Sequence, residues 1–265
     1  MMGASAIWPA GSARDDTAVS RDIAGIAVAD LSGAAVIAAL ADALAAGRTT
    51  RLAFLNAHCV NLARRDAAYK RALGRFWVIP DGIGVDIAAR MLYGKPFTEN
   101  LNGTDFLPRL LASLDGRLRV ALIGGAPGIA ERAARRLAAE IPVHDYLVVS
   151  DGFFDREACA GVLDELAAAK ADVVLVAMGV PAQELFIADH LSERHGRLFV
   201  GVGALFDFLA GNVARAPLAI RRLRMEWAWR LMLEPGRMWR RYILGNPLFL
   251  LGILRDRLRR ERDDV

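Results

Sequence analysis

Cysteine and histidine are scarce in this chain, with two of the first and four of the second among 265 residues. Cys59 and Cys159 lie far apart, each inside an apparent helix, so no disulfide framework or cysteine-based metal spacing is expected. A reduced, cytoplasmic setting fits that usage. His58, His144, His190 and His195 are scattered, without an HxxxH pair or an acidic cluster at ligand spacing, and no metal site is expected. The GxxxxGK[ST] loop and the GxSxG elbow are missing too, as is a DxD-like pair in a suitable loop, which removes phosphate-loop and hydrolase readings. Long apolar runs are absent: the most apolar stretch, residues 247–254, falls far short of the ~20 residues a spanning helix needs and could at most lie in a membrane interface. The first residues lack the basic and apolar regions of a signal peptide, and residues 1–25 are expected to form a flexible leader.

What is present is a globular composition, 54% hydrophobic and 24% charged, enough for a large core and a polar surface. Charge is sorted along the chain. Residues 215–262 hold thirteen arginines against four acids, a net of +9 within a total of +4, so the remainder carries −5. An acidic body with a basic tail favours an anionic partner for the tail: a membrane surface, nucleic acid or an anionic ligand.

Six short apolar stretches read as buried strands: residues 51–55, 76–79, 118–125, 146–149, 172–178 and 197–203. Helical patterns separate them, over residues 59–73, 85–92, 104–114 (with Thr104 as N-cap), 127–140, 155–169 and 182–194; another covers 32–45. Continuous apolar strands alternating with amphipathic helices predict an α/β fold, a Rossmann-like parallel sheet with helices on both faces. Glycine-containing turns follow the strands, so ligands are expected at the carboxyl edge of that sheet. The alternation stops near residue 215, giving a core over 26–215 and a C-terminal basic amphipathic helical appendage over 216–265.

Individual residues suggest where chemistry lies. Asp81, in a Pro-Asp-Gly turn at a strand end, could take a proton from a sugar hydroxyl or could serve as a turn residue holding its own backbone. Asn56 and His58 close the first strand. Gly124 precedes a helix start that could receive a phosphate, though the loop is not GxGxxG. Gln183 and Glu184, after Gly179-Val180-Pro181, could bind a base or ribose, or form a first turn where the dipole favours glutamate. Asp207 and Gly211 read as a helix and its cap. In the appendage, Arg224, Arg230, Arg237, Arg240 and Arg241 alternate with Trp227, Trp229 and Trp239; an α-helix opened by Pro235 would put Arg237, Arg240 and Arg241 on one face.

Taken in order, NAHCVNLARRD, PDGIGVDIAAR, NGTDFLPRLL, GVPAQE, GVGALFDFLAGNVARAP and EWAWRLMLEPGRMWRRY resemble the WecG/TagA/CpsF glycosyltransferases over residues 51–249. The resemblance implies an inverting, metal-independent transfer from a UDP-sugar to a polyprenyl-diphosphate-linked saccharide on the inner face of the cytoplasmic membrane. It implies no cofactor, no nucleic-acid partner, a peripheral membrane location and room for a homo-oligomer. It makes Asp81 the base, with Arg230, Arg237 and Arg240 balancing the departing diphosphate. Asn56 and Gln183 become substrate contacts, and the shared motifs add Gly82, Asn102, Gly103, Asp105, Gly124, Gly179, Glu184 and Asp207 to the substrate-binding set. Residues 53–55 and 99–102 depart from the usual pattern near the expected sugar pocket, so the donor is expected to carry a hexose or N-acetylhexosamine, for exopolysaccharide or other cell-surface polysaccharide synthesis. The competing readings are a nicotinamide-dependent oxidoreductase and a basic-tailed nucleic-acid-binding module.

Overall fold

The computed structural model describes residues 20–156, 158–222 and 225–263. It opens with an antiparallel hairpin, β1 (Ser20–Ile23) and β2 (Ile26–Ala29). Ala24 and Gly25 both take positive φ, +58° and +78°, as the commonest right-twisting two-residue hairpin turn requires. Residues 20–25 therefore belong to the folded body rather than to the expected leader, whose earlier residues lie outside those described. The hairpin is clamped by a buried pair, Arg21 to Asp30 at 2.5 Å, with Arg21 also donating to the Lys95 and Pro96 carbonyls.

Next come α1 (Gly33–Ala45), β3 (Thr50–Leu55), α2 (Ala57–Ala63), α3 (Ala67–Leu73), β4 (Trp77–Pro80), α4 (Ile83–Tyr93) and α5 (Gly103–Ser113). The stretch expected as one helix over 59–73 is two. Asp66 turns out of the helix and accepts from the Tyr69 N–H, capping a new start inside the apolar repeat. Asn102, not Thr104, caps α5, its side chain accepting from the Thr104 N–H.

The second half runs β5 (Arg119–Gly124), α6 (Ile129–Glu140), β6 (Asp145–Ser150), α7 (Ala160–Ala169), β7 (Val173–Ala177), α8 (Ala182–His190) and β8 (Leu198–Gly201). Beyond it lie α9 (Leu205–Leu209), α10 (Leu218–Arg222), α11 (Glu226–Leu233), α12 (Pro235–Trp239), a π-helical turn (Arg240–Leu244) and α13 (Gly245–Asp263).

Strands β3 to β8 form one parallel sheet in the order β4-β3-β8-β7-β5-β6. Alternate residues of each strand face opposite layers. Ala53, Val78, Ile123, Val176 and Phe199 join the cluster with Cys59, Tyr69, Val85 and Phe186; Leu52, Ile79, Leu122, Leu175 and Val200 join Leu40, Phe106, Leu110 and Leu137. Both faces are covered, which is why the strands read as unbroken apolar runs.

The last helix belongs to this body. Phe249 and Ile253 of α13 are buried in the first cluster, and a side chain of that size contributes ~1.5–3 kcal/mol on full burial. Asn61 of α2 donates to the Gly245 carbonyl at 2.7 Å, Arg64 pairs with Asp256, and Arg260 reaches Asp22 of the hairpin at 3.0 Å. The described residues of this stretch, 214–222 and 225–244, thus form a strap between the end of α9 and an anchored helix, and they reach the carboxyl edge of the sheet where Asp81 and Asn102 lie.

Candidate active site

The parallel register pairs Leu55 with Pro80, so the residues that follow, Asn56 and Asp81, leave the sheet side by side at its carboxyl edge. The Asp81 N–H donates to the Leu55 carbonyl at 2.8 Å, extending the ladder by one residue and fixing the carboxylate's origin. Gly82 then takes φ +82°, which a side chain would resist, and opens α4. Asn100 holds this turn from the other side, accepting from the Gly82 N–H at 2.8 Å and donating to its carbonyl at 2.9 Å.

Asp81 is partly exposed at the surface, yet enough protein surrounds it for desolvation to push its pKa up to about 6. A hydrogen bond from the Asn56 side chain and the charges of Arg241 and Arg230 oppose that rise, while Glu226 adds to it. Asn56 serves two ends: its carbonyl oxygen accepts from the N–H groups of His58 and Cys59 to cap α2, leaving its amide for Asp81. His58 beside it is held neutral, its pKa lowered to about 4 by burial and then by Arg241.

The strap contributes the cations. Arg241 acts on Asp81, His58 and Cys59 together, and its Nε is buried without a hydrogen-bond partner. Arg230 lies with its guanidinium 5.4 Å from the Phe208 ring centroid, and its Nε is likewise buried and unpartnered. Arg240 is exposed and rests against Trp239 at 5.4 Å. The side chain of Arg237, like all of Arg224, lies outside the described residues.

A polar latch ties the strap to α5. The Asn102 amide donates to Glu226 at 2.7 Å, and Asp105 pairs with Arg215 and, at 3.5 Å, with Arg221. At Gly103 the first turn of α5 faces Phe54, whose ring atoms a Cβ would meet at an ordinary contact distance of 3.4 Å. The Trp229 indole N–H donates to the Ala214 carbonyl at 3.1 Å.

The other sequence candidates lie along the same edge but farther into the fold. Gln183 and Glu184 are 3% and 1% exposed: Gln183 donates to Glu184 at 2.7 Å and accepts from the Gly203 N–H at 2.9 Å. Burial pushes the Glu184 pKa up to about 7. Gly179, at φ +72°, makes the turn before α8 and its carbonyl accepts from the Gln183 N–H. At Gly124 a Cβ would strike the Ala177 carbonyl, so this glycine serves close contact between β5 and β7. The Asp207 carbonyl gathers the N–H groups of Asn212 and Val213 behind α9. The structure therefore brings Asp81, Asn56, Gly82 and Arg230 together, and ties Asn102 and Asp105 to the strap. It adds Arg241 and Glu226, which sequence reasoning had placed only within a basic run.

Among the described residues, no group of three or more His, Cys, Asp or Glu side chains could hold a metal ion, and no helix is long and apolar enough to cross a membrane. Two characterised relatives are N-acetylglucosaminyldiphosphoundecaprenol N-acetyl-beta-D-mannosaminyltransferases. That of Bacillus spizizenii is 34% identical over 180 residues, 68% of each chain. That of Bacillus subtilis is 32% identical over 181 residues, 68% of this chain and 69% of its own. With the Glycosyl transferase WecG/TagA/CpsF family profile matching residues 21–263 as well, the chain belongs to the WecG/TagA/CpsF family of glycosyltransferases.

Proposed function

We propose that this glycosyltransferase moves a hexose or N-acetylhexosamine from a UDP-sugar to a polyprenyl-diphosphate-linked saccharide, with inversion and without a metal. The observation that carries the reading is Asp81: a carboxylate at the sheet's carboxyl edge, oriented by Asn56, with a raised pKa and two guanidiniums of the strap acting on it. The acceptor named for both relatives, a sugar on diphosphoundecaprenol, supports a lipid-linked acceptor here.

In this scheme the acceptor hydroxyl gives its proton to the Asp81 carboxylate as its oxygen bonds to the anomeric carbon from the face opposite the nucleotide. The bond from that carbon to the phosphate oxygen breaks, and its electron pair leaves with UDP. A base with a pKa near 6 is ionised at neutral pH and still basic enough to help. In the same scheme Arg241 and Arg230, whose charges act on Asp81, balance the departing diphosphate, and a preorganised guanidinium supplies that charge without reorganisation cost.

The surface of α13 and the turn before it supports membrane association. Opposite the docked face of Phe249 and Ile253, Leu244, Leu248, Leu251, Leu254 and Leu258 are exposed at helical spacing, flanked by Arg255, Arg259 and Arg262.

The test is Asp81→Asn in a transfer assay with UDP-N-acetylmannosamine and a short-chain prenyl-diphosphate N-acetylglucosamine acceptor. Loss of one general base lowers kcat by roughly 10²–10⁴-fold, with the circular dichroism of the fold unchanged and, in the wild-type product, an anomeric configuration opposite to the donor's. Wild-type turnover by the variant would remove Asp81 from the chemistry.

A further inference from the structure

Resting on the reading of Arg230 as a partner of the departing nucleotide, we propose that Glu184 is a positioning residue. It acts through Gln183 and the turn at Gly203 to fix the Phe208 platform on which Arg230 lies. Glu184 Oε1 accepts from Gln183 Nε2 at 2.7 Å, and Gln183 Oε1 accepts from the Gly203 N–H at 2.9 Å. The Val202 N–H, one residue earlier, is held by the Val176 carbonyl of β7. Helix α9 begins two residues after Gly203, and Phe208 within it carries the Arg230 guanidinium at 5.4 Å. The charge of Arg230 in turn acts on Asp81.

A carboxyl group that is 1% exposed is a costly way to fill space, since burying it without full pairing carries a desolvation penalty that a leucine would avoid. Its Oε2 has no hydrogen-bond partner, so packing and satisfaction do not account for it. What the carboxylate supplies is direction. An acceptor beside Gln183 forces the amide NH₂ toward Glu184 and the amide oxygen toward Gly203. The reversed amide would set two donors against each other at Gly203. No slack exists on the sheet side either: a Cβ on Gly201 would lie 2.8 Å from Gln183 Nε2 and 3.2 Å from Glu184 Oε1.

The experiment is steady-state transfer by the full chain, with hydrogen exchange followed on peptides covering residues 201–208. Misplacing the platform by a fraction of an ångström to an ångström is expected to lower kcat about ten- to a hundred-fold in Glu184→Leu. The KM for the UDP-sugar should stay within about threefold, and exchange at 201–208 should quicken. Glu184→Gln, whose carbonyl can accept the same bond, is expected to restore kcat to within a few-fold. Gly201→Ala, which displaces the strut without removing a charge, is expected to reproduce the loss. Glu184→Gln as impaired as Glu184→Leu, a defect confined to KM, or wild-type kcat and exchange in Gly201→Ala would each overturn the proposal. Full turnover by Arg230→Ala would instead defeat the leaving-group reading, and exchange at 201–208 would still report on the strut.

Discussion

At the scale of single residues, Asp81 combines a functional and a thermodynamic consequence. Its pKa is about 6 in the fold against 3.8 for the free side chain, so between these values the native state binds more protons than the unfolded one. Stability contributed by this group is therefore highest in acid and is lost as pH rises through 4 to 6. Asp81→Asn keeps an oxygen to accept from Asn56 and removes the desolvated charge. It should raise stability at pH 8 by about 1–3 kcal/mol and change it little at pH 4. Denaturant unfolding of both proteins at the two pH values checks this; equal stability at pH 8 would mean that the carboxylate is not desolvated. The place of Asp81 at a strand end is legible in the Pro-Asp-Gly turn, whereas its role as base comes to the sequence reading only through the family resemblance. Glu184 is marked by its motif too, but as a substrate contact or a first-turn partner of the dipole; its burial against Gln183 is not legible, because it depends on how α8 packs on the strand β8.

At the scale of elements, the sheet was the most legible part and the strap the least. Short apolar runs bounded by glycine turns mark the strands buried on both faces, whereas the hairpin β1–β2 has strands of four residues and its turn is signalled by Ala24-Gly25 alone. The break at Asp66 hid inside a continuous apolar repeat because one capping side chain outweighs periodicity there. In the strap, an α-helical wheel from Pro235 puts Arg237, Arg240 and Arg241 on one face, but the chain passes through a π-helical turn at Arg240–Leu244. Its wider turn changes the register, leaving Arg240 exposed against Trp239 while the charge of Arg241 acts on Asp81. Arg241→Ala is therefore expected to lower kcat by roughly a hundredfold or more, the cost of removing one preorganised charge-stabilising donor. It should also move the acid limb of the pH–rate profile upward, since a cation that depresses the Asp81 pKa is gone. Arg240→Ala is expected to stay within a few-fold of wild type. The reverse order in a parallel assay would mean that the strap is seated differently during turnover.

At the scale of the whole molecule, arginine and exposed leucine are concentrated in the C-terminal part of the chain. The helix that anchors the strap turns Phe249 and Ile253 inward and four exposed leucines outward, between arginines, and Leu244 of the preceding turn extends that row to five. A catalytic edge carried next to such a row is suited to an acceptor whose hydroxyl sits close to a lipid anchor. Replacing Leu251, Leu254 and Leu258 by serine should leave the fold intact, because none of the three is buried. Burial of a leucine is worth ~1.5–3 kcal/mol, so losing even partial insertion of three should weaken sedimentation with phosphatidylglycerol vesicles by at least tenfold. Turnover on a water-soluble acceptor should be retained. Unchanged vesicle binding would assign the row to a protein partner or a second copy.

All three scales meet in the protonation of one carboxylate beneath a basic strap, and the pH dependence of kcat/KM reads it in the intact enzyme. The account predicts a rate that falls tenfold per pH unit below about pH 6, where Asp81 takes up its proton, and a plateau above. A profile flat down to pH 4.5, with the protein still folded, would contradict it.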